Sequence, residues 1–330
     1  MELICKKLKN KNDLEVVLLN LGAAIISVSI PDKDAGRIDL TLGFGEPEDY
    51  KSDPFFFGST PGRYATRIGK GRFTLNGEEY RLPCNEGENH LHGGENGFAQ
   101  QHWQCSDDSG AVTFTYVSVD GENGYPGTLT ANVSYSLNDE NELTINYLAE
   151  SDKDTIINLN NHSYFNLNGG RKPITDHELY INADSFVVAD NANIPTGEIR
   201  ETANTPLDFS SPKRLSDVIF SDYEPIRKEQ GIDCCFALNG SGMRRAAVLS
   251  YPEAGRSVEV DTDMPGLVVY TANKIPSDTK GRNGLVYEPY SGICLEAQGF
   301  PDAPNYPHFP SAVLKKGEVY KRTTIYRFKY

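Results

Sequence analysis

Val112-Thr-Phe-Thr-Tyr-Val-Ser-Val119, Thr128-Leu-Thr-Ala-Asn-Val-Ser-Tyr-Ser-Leu137 and Leu143-Thr-Ile-Asn-Tyr-Leu-Ala-Glu150 are three consecutive runs in which apolar and polar residues alternate. A period of two is the signature of a half-buried strand, because successive side chains of extended backbone point to opposite faces. The breaks, Asp120-Gly121-Glu122-Asn123-Gly124 and Asn138-Asp139-Glu140-Asn141, hold residues that tolerate the backbone angles of tight turns. Together they predict an antiparallel meander. Upstream, Phe73 and Leu75 are separated from Tyr80 and Leu82 by Asn76-Gly77, a hairpin signal because a type I′ turn needs two positive φ angles.

Similar runs continue in both directions. Strands are expected at residues 16–21, 25–30, 155–160, 178–181, 234–238, 246–251, 257–262, 267–271, 293–297 and 323–328. Helix signals are few. Ser211 can cap and Pro212 suits a first helical turn, which predicts a short helix over 213–219, and another is expected near 46–50. Thirty glycines and nineteen prolines leave little room for long helices. No repeat, linker or low-complexity tract interrupts the pattern. The sequence therefore reads as one all-β domain over residues 1–330, a large antiparallel β-sandwich with few short helices.

The formal net charge of −14 argues against a nucleic-acid binder, which needs a basic footprint, and against docking to anionic lipid. The apolar stretch 16–28 follows Lys6, Lys7, Lys9 and Lys11, as a signal peptide would, but Asp13 and Glu15 sit at its edge and no small-residue cleavage site follows. It is too short to span a bilayer, so it reads as buried strand in a cytoplasmic protein. Cys5, Cys84, Cys105, Cys234, Cys235 and Cys294 form no CxxC pair and read as free thiols. Adjacent Cys234 and Cys235 would face opposite sides of a strand. Glycine-rich phosphate loops and a GxSxG elbow are absent from the sequence.

Alternation also sorts the chemistry. Along residues 155–165 one face carries Asn158, Asn160, His162 and Tyr164, and the other Ile157, Leu159, Asn161, Ser163 and Phe165. A row of Asn, His and Tyr resembles the floor of a polar-ligand cleft more than a solvated face rich in Lys and Glu. On residues 293–298, Cys294, Glu296 and Gln298 share one face. Glu296 is either a surface carboxylate, which the pattern alone favours, or a desolvated one whose raised pKa makes it a usable base. His90 and His92 are placed on one face of their segment, and with no third ligand nearby they fit hydrogen bonding to a ligand better than metal. Arg63 and Arg67 fall on one face of an extended segment, suited to hydroxyls or to a structural ion pair. Asp233 opens a strand and could accept from adjacent hydroxyls, or serve a turn.

Five stretches stand in order: Gly62-Arg63-Tyr64-Ala65-Thr66-Arg67-Ile68, Asn89-His90-Leu91-His92-Gly93-Gly94, Gly124-Tyr125-Pro126-Gly127, Asn161-His162-Ser163-Tyr164-Phe165-Asn166-Leu167, and Leu295-Glu296-Ala297-Gln298-Gly299-Phe300-Pro301-Asp302-Ala303-Pro304-Asn305. Together they resemble the galactose mutarotase (aldose 1-epimerase) family over nearly the whole chain, including residues 20–44 and 281–287. The resemblance implies a galactose mutarotase-like sandwich with an open sugar cleft and neither cofactor nor metal. It implies Glu296 as general base, His162 as general acid, and Arg67, His92, Asp233 and Tyr164 around a monosaccharide. Two positions depart from the family pattern: Thr66 replaces the usual Asn and Val268 the usual Gln, both on the substrate side, so the preferred sugar is not given by the resemblance.

The chemistry fits these residue types independently. Interconverting anomers opens a hemiacetal: a base takes the anomeric hydroxyl proton while an acid protonates the ring oxygen. A glycoside hydrolase using Asp233 and Glu296 remains an alternative, as does a non-catalytic sugar-binding protein on the same fold. The expected state is a monomer or weak homodimer whose partner is a sugar, with neither nucleic acid nor membrane. Loops 189–206 and 221–231 are expected at the cleft rim.

Overall fold

A computed structural model of the chain describes residues 2–108 and 110–330. The meander folds as read: Ala111–Ser118, Leu129–Leu137 and Glu142–Ser151 pair antiparallel in continuous register. Phe114, Val133, Tyr135, Ile145 and Tyr147 turn inward and are buried, while the alternate residues are wetter. Val319–Lys329 joins the meander on one side, pairing with Glu142–Ser151 and, on its other edge, with Arg256–Thr262. Arg244–Tyr251, Glu178–Ile181 and Lys213–Arg214 continue outward from there, and Gln104–Asp108 closes the far edge, giving nine strands.

A six-stranded antiparallel sheet lies against it, in the order Tyr164–Phe165, Ile293–Gln298, Gly266–Tyr270, Asp233–Ala237, Ser185–Ala189, Pro195–Glu201. Its inward residues Leu267, Val269, Ile293, Leu295 and Phe236 belong to one core cluster with Phe114, Val133, Ile145, Val258, Tyr326 and Phe328 of the larger sheet. Each such side chain contributes roughly 1.5–3 kcal/mol by leaving water, which makes the sheet-to-sheet contact the main stabilising surface. Val16, Leu18, Ile25 and Val28 of a four-stranded sheet join the same core cluster. The apolar stretch 16–28 is thus two buried strands, Glu15–Leu19 and Ala24–Asp32, and among the described residues no helix is long and apolar enough to cross a membrane. The Asn76-Gly77 hairpin forms between Arg72–Leu75 and Glu78–Arg81, with φ of 53° and 83° at the two turn residues. All six cysteines are free thiols.

Three expectations are corrected. The helix over 213–219 shrinks to Ser216–Ile219, because Lys213–Arg214 pairs with Glu178 and Leu179 at the sheet edge; ladder hydrogen bonds there override the Ser-Pro start signal. The strand at 155–160 is only Thr155–Ile156, since beyond it the chain bonds to loop backbone instead, Asn158 N–H to the Arg63 carbonyl and His162 N–H to the Ser59 carbonyl. The segment near 46–50 is a 3₁₀ turn, Pro47–Ser52. A second α-helix, Glu224–Glu229, carries no clear cap in sequence.

Arg63 ties the meander to the loops over the smaller sheet. It is 1% exposed. Its guanidinium donates to the carbonyls of Pro126 at 2.8 Å, Gly127 at 2.9 Å and Ser118 at 3.2 Å, and to Ser118 Oγ at 2.6 Å. Ser118 Oγ in turn donates to Glu122. Burial pulls the guanidinium pKa down to about 10, so it stays charged at neutral pH. Arg63→Met should lower unfolding free energy by about 3 kcal/mol or more, because several buried acceptors each lose a partner at about 1–3 kcal/mol; urea denaturation measures it.

Candidate active site

The outward face of the six-stranded sheet is the floor of a cleft, and its register fixes which side chains adjoin. One row runs Tyr164, Cys294, Tyr270, Asp233 across four strands; the next runs Glu296, Val268, Cys235, Val187. Glu296 and Asp233 are therefore two strands apart, roughly 10 Å across the sheet. Cys234 points into the core while Cys235 joins the floor, as their adjacency predicts.

Although residues 157–163 are not a regular strand, their alternation of faces survives. Asn160 Nδ2 donates to Glu296 Oε2 at 2.6 Å and also to Gln298 Oε1. His162 sets Nε2 3.6 Å from Glu296 Oε1 and Nδ1 3.6 Å from Cys294 Sγ. Tyr164 donates its hydroxyl to the Phe55 carbonyl at 3.0 Å. Ile157, Leu159 and Phe165 enter the core. Glu296 is 2% exposed and His162 5%, so the surface-carboxylate reading of Glu296 is overturned. Burial first, then the Asp233 charge, pushes the Glu296 carboxyl up to about 8. Burial pushes the His162 imidazole down to about 4.

The opposite wall comes from earlier in the chain. Asp53 accepts the N–H groups of Phe55 at 2.8 Å and Phe57 at 2.6 Å. These hold Phe56 with its ring centroid 4.8 Å from His92 and 5.9 Å from His162. His92 Nδ1 accepts Thr66 N–H at 3.2 Å. Burial first, with the His162 ring and the Arg67 guanidinium nearby, pushes that ring well below its usual pKa, so it is neutral and its single hydrogen sits on Nε2. The close turn is possible because residue 93 is glycine: at φ +88° a Cβ would stand 1.6 Å from the Gly62 carbonyl oxygen. His90 does not share the His92 face, as φ of 52° at His92 breaks the alternation; it bonds to Tyr125 Oη and the Pro83 carbonyl. Arg63 and Arg67 likewise separate, because Thr66 adopts φ 65°. Arg67 reaches the cleft and grips Glu86 with two bonds of 2.6 and 2.7 Å.

A cavity of about 270 Å³ lies between wall and floor, lined by His92, His162, Glu296, Asp233, Arg67 and Tyr164 together with Val268, Thr66, Tyr270 and Phe56. All six site residues expected from sequence therefore meet in it. Phe56, Glu86, Tyr270 and Lys274 were not expected there; the run Pro54-Phe55-Phe56-Phe57 is the one signal that could have marked the wall. A larger space of about 690 Å³ shares Arg67, Glu86 and Lys274 and is edged by Asn193 and Glu229, which places the two expected rim loops. Asn193 Nδ2 donates to Asp233 at 3.2 Å, and Lys274 pairs with Glu229 at 3.0 Å. Thr66 Oγ1 is buried without a hydrogen-bond partner.

Fold and site together define an antiparallel β-sandwich with a buried carboxyl and an imidazole side by side in a small polar cleft. The chain belongs to the aldose 1-epimerase family, whose model matches residues 5–327. It is 42% identical over 319 residues to galactose mutarotase of Bos taurus, covering 96% of this chain and 92% of that one. It is 36% identical over 326 residues to aldose 1-epimerase of Escherichia coli K12, covering 97% and 94%. The crystal structure of galactose 1-epimerase from Lactobacillus acidophilus superposes with a TM-score of 0.88 at 35% identity, covering 100% of this chain and 95% of that one. An aldose epimerase homologue from C. elegans gives 0.93 at 29% identity, covering 100% and 99%.

Since Asp233 is the second contributor to the raised Glu296 pKa and burial the first, Asp233→Asn should lower that titration below about 8 without restoring the ordinary carboxylate range. Carboxyl ¹³C shifts of glutamate-labelled protein, with Glu296→Gln for assignment, follow it.

Proposed function

We propose that this chain is an aldose 1-epimerase that interconverts the α and β anomers of a free monosaccharide, with Glu296 as base and His162 as acid. The observation that carries the assignment of roles is the 3.6 Å approach of His162 Nε2 to Glu296 Oε1 inside the cleft. Arg67, His92 through Nε2–H, and Asp233 would hold the hydroxyls, and Tyr164 packs 5.2 Å from the acid ring. A space of about 270 Å³ is at the small end for ligand sites and suits one sugar ring. The core cluster running from Leu14 to Phe328 supports the reading of one domain.

Proton accounting supports the pair. With one group pushed up to about 8 and the other down to about 4, the two share one proton at neutral pH and titrate as a unit. In the free site the proton rests on Glu296. The reactive form has it on His162. From there the carboxylate takes the anomeric hydroxyl proton as the imidazolium protonates the ring oxygen, and the C1–O5 bond breaks. The pair is left as carboxylic acid and neutral imidazole. The aldehyde rotates about C1–C2 and the same transfers run backwards on the other face, so no proton is gained or lost. Ring opening of this kind is proton transfer alone and places no demand on a cofactor. Against the hydrolase alternative, the group standing 3.6 Å from Glu296 is a histidine and not a second carboxyl.

Polarimetry tests this. Freshly dissolved α-D-glucose and α-D-galactose should reach equilibrium rotation faster with protein than in buffer, and failure with every aldose, pentoses included, would reject the enzyme. Glu296→Gln and His162→Asn should each remain folded and lose about 10²-fold or more, the scale of positioned proton transfer. The value of kcat/KM should fall below about pH 4, where both groups are protonated and no base remains, and above about pH 8, where no acid remains.

The floor beside the base is apolar, because Val268 sits directly across from Glu296 with Cys235 next in the row. A sugar hydroxyl facing Val268 loses water without a partner, which costs about 1–3 kcal/mol. A sugar with no hydroxyl there, a pentose or deoxy sugar, should therefore exceed glucose and galactose in kcat/KM by about tenfold, and Val268→Gln should narrow the gap. A strong galactose preference unchanged by Val268→Gln would place that residue away from the sugar.

A further inference from the structure

We propose that Cys294 is a positioning residue for the acid: its sulfur holds the Nδ1–H of His162 and so leaves Nε2 as the atom that takes up and releases the mobile proton. The inference rests on the proton-sharing role given above to His162 and Glu296. Cys294 and Glu296 are two residues apart on one face of Ile293–Gln298, and they bracket the ring. Sulfur stands 3.6 Å from Nδ1, and carboxylate oxygen 3.6 Å from Nε2.

The thiol is fully buried. Burial, with Glu296 and Asp233 nearby, holds it protonated, well above the usual thiol range. A neutral thiol can donate or accept, and the proton cycle decides which. While the shared proton is on Glu296, Nε2 must keep a lone pair to receive it, so the neutral ring carries its hydrogen on Nδ1. Once the proton has moved, the imidazolium carries hydrogen on both nitrogens. Nδ1 is protonated in both halves, and sulfur is the acceptor in both.

Apart from the ring's own backbone carbonyl, which also attracts a ring N–H, the other neighbours of the ring do not make this choice. Phe56, Tyr164 and His92 pack with ring centroids 5.9, 5.2 and 5.3 Å away, which fixes position but not tautomer. Arg67 and Asp233 share the cavity without a hydrogen bond to the ring. His92, 5.3 Å away, is held in the opposite tautomer by Thr66 N–H. Without sulfur at Nδ1, only the ring's own backbone carbonyl is left to hold that hydrogen, and the neutral His162 ring can adopt the other tautomer too. Nε2 would then have no lone pair for the Glu296 proton.

The test compares wild type, Cys294→Ser and Cys294→Ala, with folding checked by thermal melting. In ¹⁵N-labelled wild-type protein without sugar, His162 should show the Nδ1–H pattern of ¹⁵N shifts and couplings, assigned with His162→Asn. Cys294→Ser, whose hydroxyl also accepts, should keep that pattern and stay within about threefold of wild-type kcat. Cys294→Ala should move the ring towards Nε2–H and lower kcat about fivefold to tenfold, the scale of one lost hydrogen bond, with KM little changed. An Nε2–H ring in wild type overturns the proposal, even if Cys294→Ala does not fold. So does an Ala variant with unchanged kcat and tautomer, or a Ser variant that falls as far as Ala. Absence of mutarotation in wild type would reject the functional reading on which the kcat arm depends, while the tautomer measurement still decides what sulfur does.

Discussion

A carboxyl group taken almost wholly out of water is the constraint around which this cleft is arranged. Burying an uncompensated carboxylate is expensive, and among the described residues neither Lys nor Arg pairs with Glu296. Instead the chain supplies Asn160 as a donor on one oxygen and a neutral imidazole beside the other, and it tolerates a proton. Arg67, the nearest guanidinium in the cavity, is committed to Glu86. Had Arg67 turned onto Glu296, the carboxyl would be pinned in its charged form. With neither lysine nor arginine paired to it, this carboxyl is left able to hold a proton near neutral pH.

The same economy separates the two arginines of the 62–68 segment. Arg63 is spent on backbone carbonyls, where a fork of donors can satisfy several acceptors at once, and it contributes stability and shape. Arg67 stands four residues later in a position open to ligand. Thr66, between them in sequence and on the cavity wall, keeps a buried hydroxyl oxygen without a partner. Unsatisfied buried polar atoms are rare, and this one lies on the cavity lining.

Where the backbone stays extended, the sequence is a good guide. The meander, the 178–181 strand and the faces of residues 293–298 follow from alternation alone, because one side of each strand must meet the core. Even 157–163, which make no ladder, keep the polar and apolar faces that alternation assigns. The reading fails where a residue enters the left-handed region. Thr66 and His92 do so, and each separates a pair, Arg63 from Arg67 and His90 from His92, that spacing had placed together. Lys213 shows a different failure: a local helix start yields to hydrogen bonds with a strand more than thirty residues away. The burial of Glu296 was illegible for a related reason. Nothing in Cys294 to Gln298 reports that the Phe55–Phe57 segment, some 240 residues earlier, folds over it; the family resemblance implied a role for Glu296 and not its burial.

Val319–Lys329 lies in the interior of the nine-stranded sheet, with the meander on one edge and Arg256–Thr262 on the other. Its neighbours are separated from each other by more than a hundred residues and have no other ladder to share. During synthesis, the two halves of that sheet must therefore wait, each with an unpaired central edge, until residues 319–329 emerge. Non-local pairing of this kind slows folding and exposes aggregation-prone edges. The chain thus commits to its fold late, and a ribosome stalled before residue 319 would hold a product with two sticky edges facing one another across a missing strand.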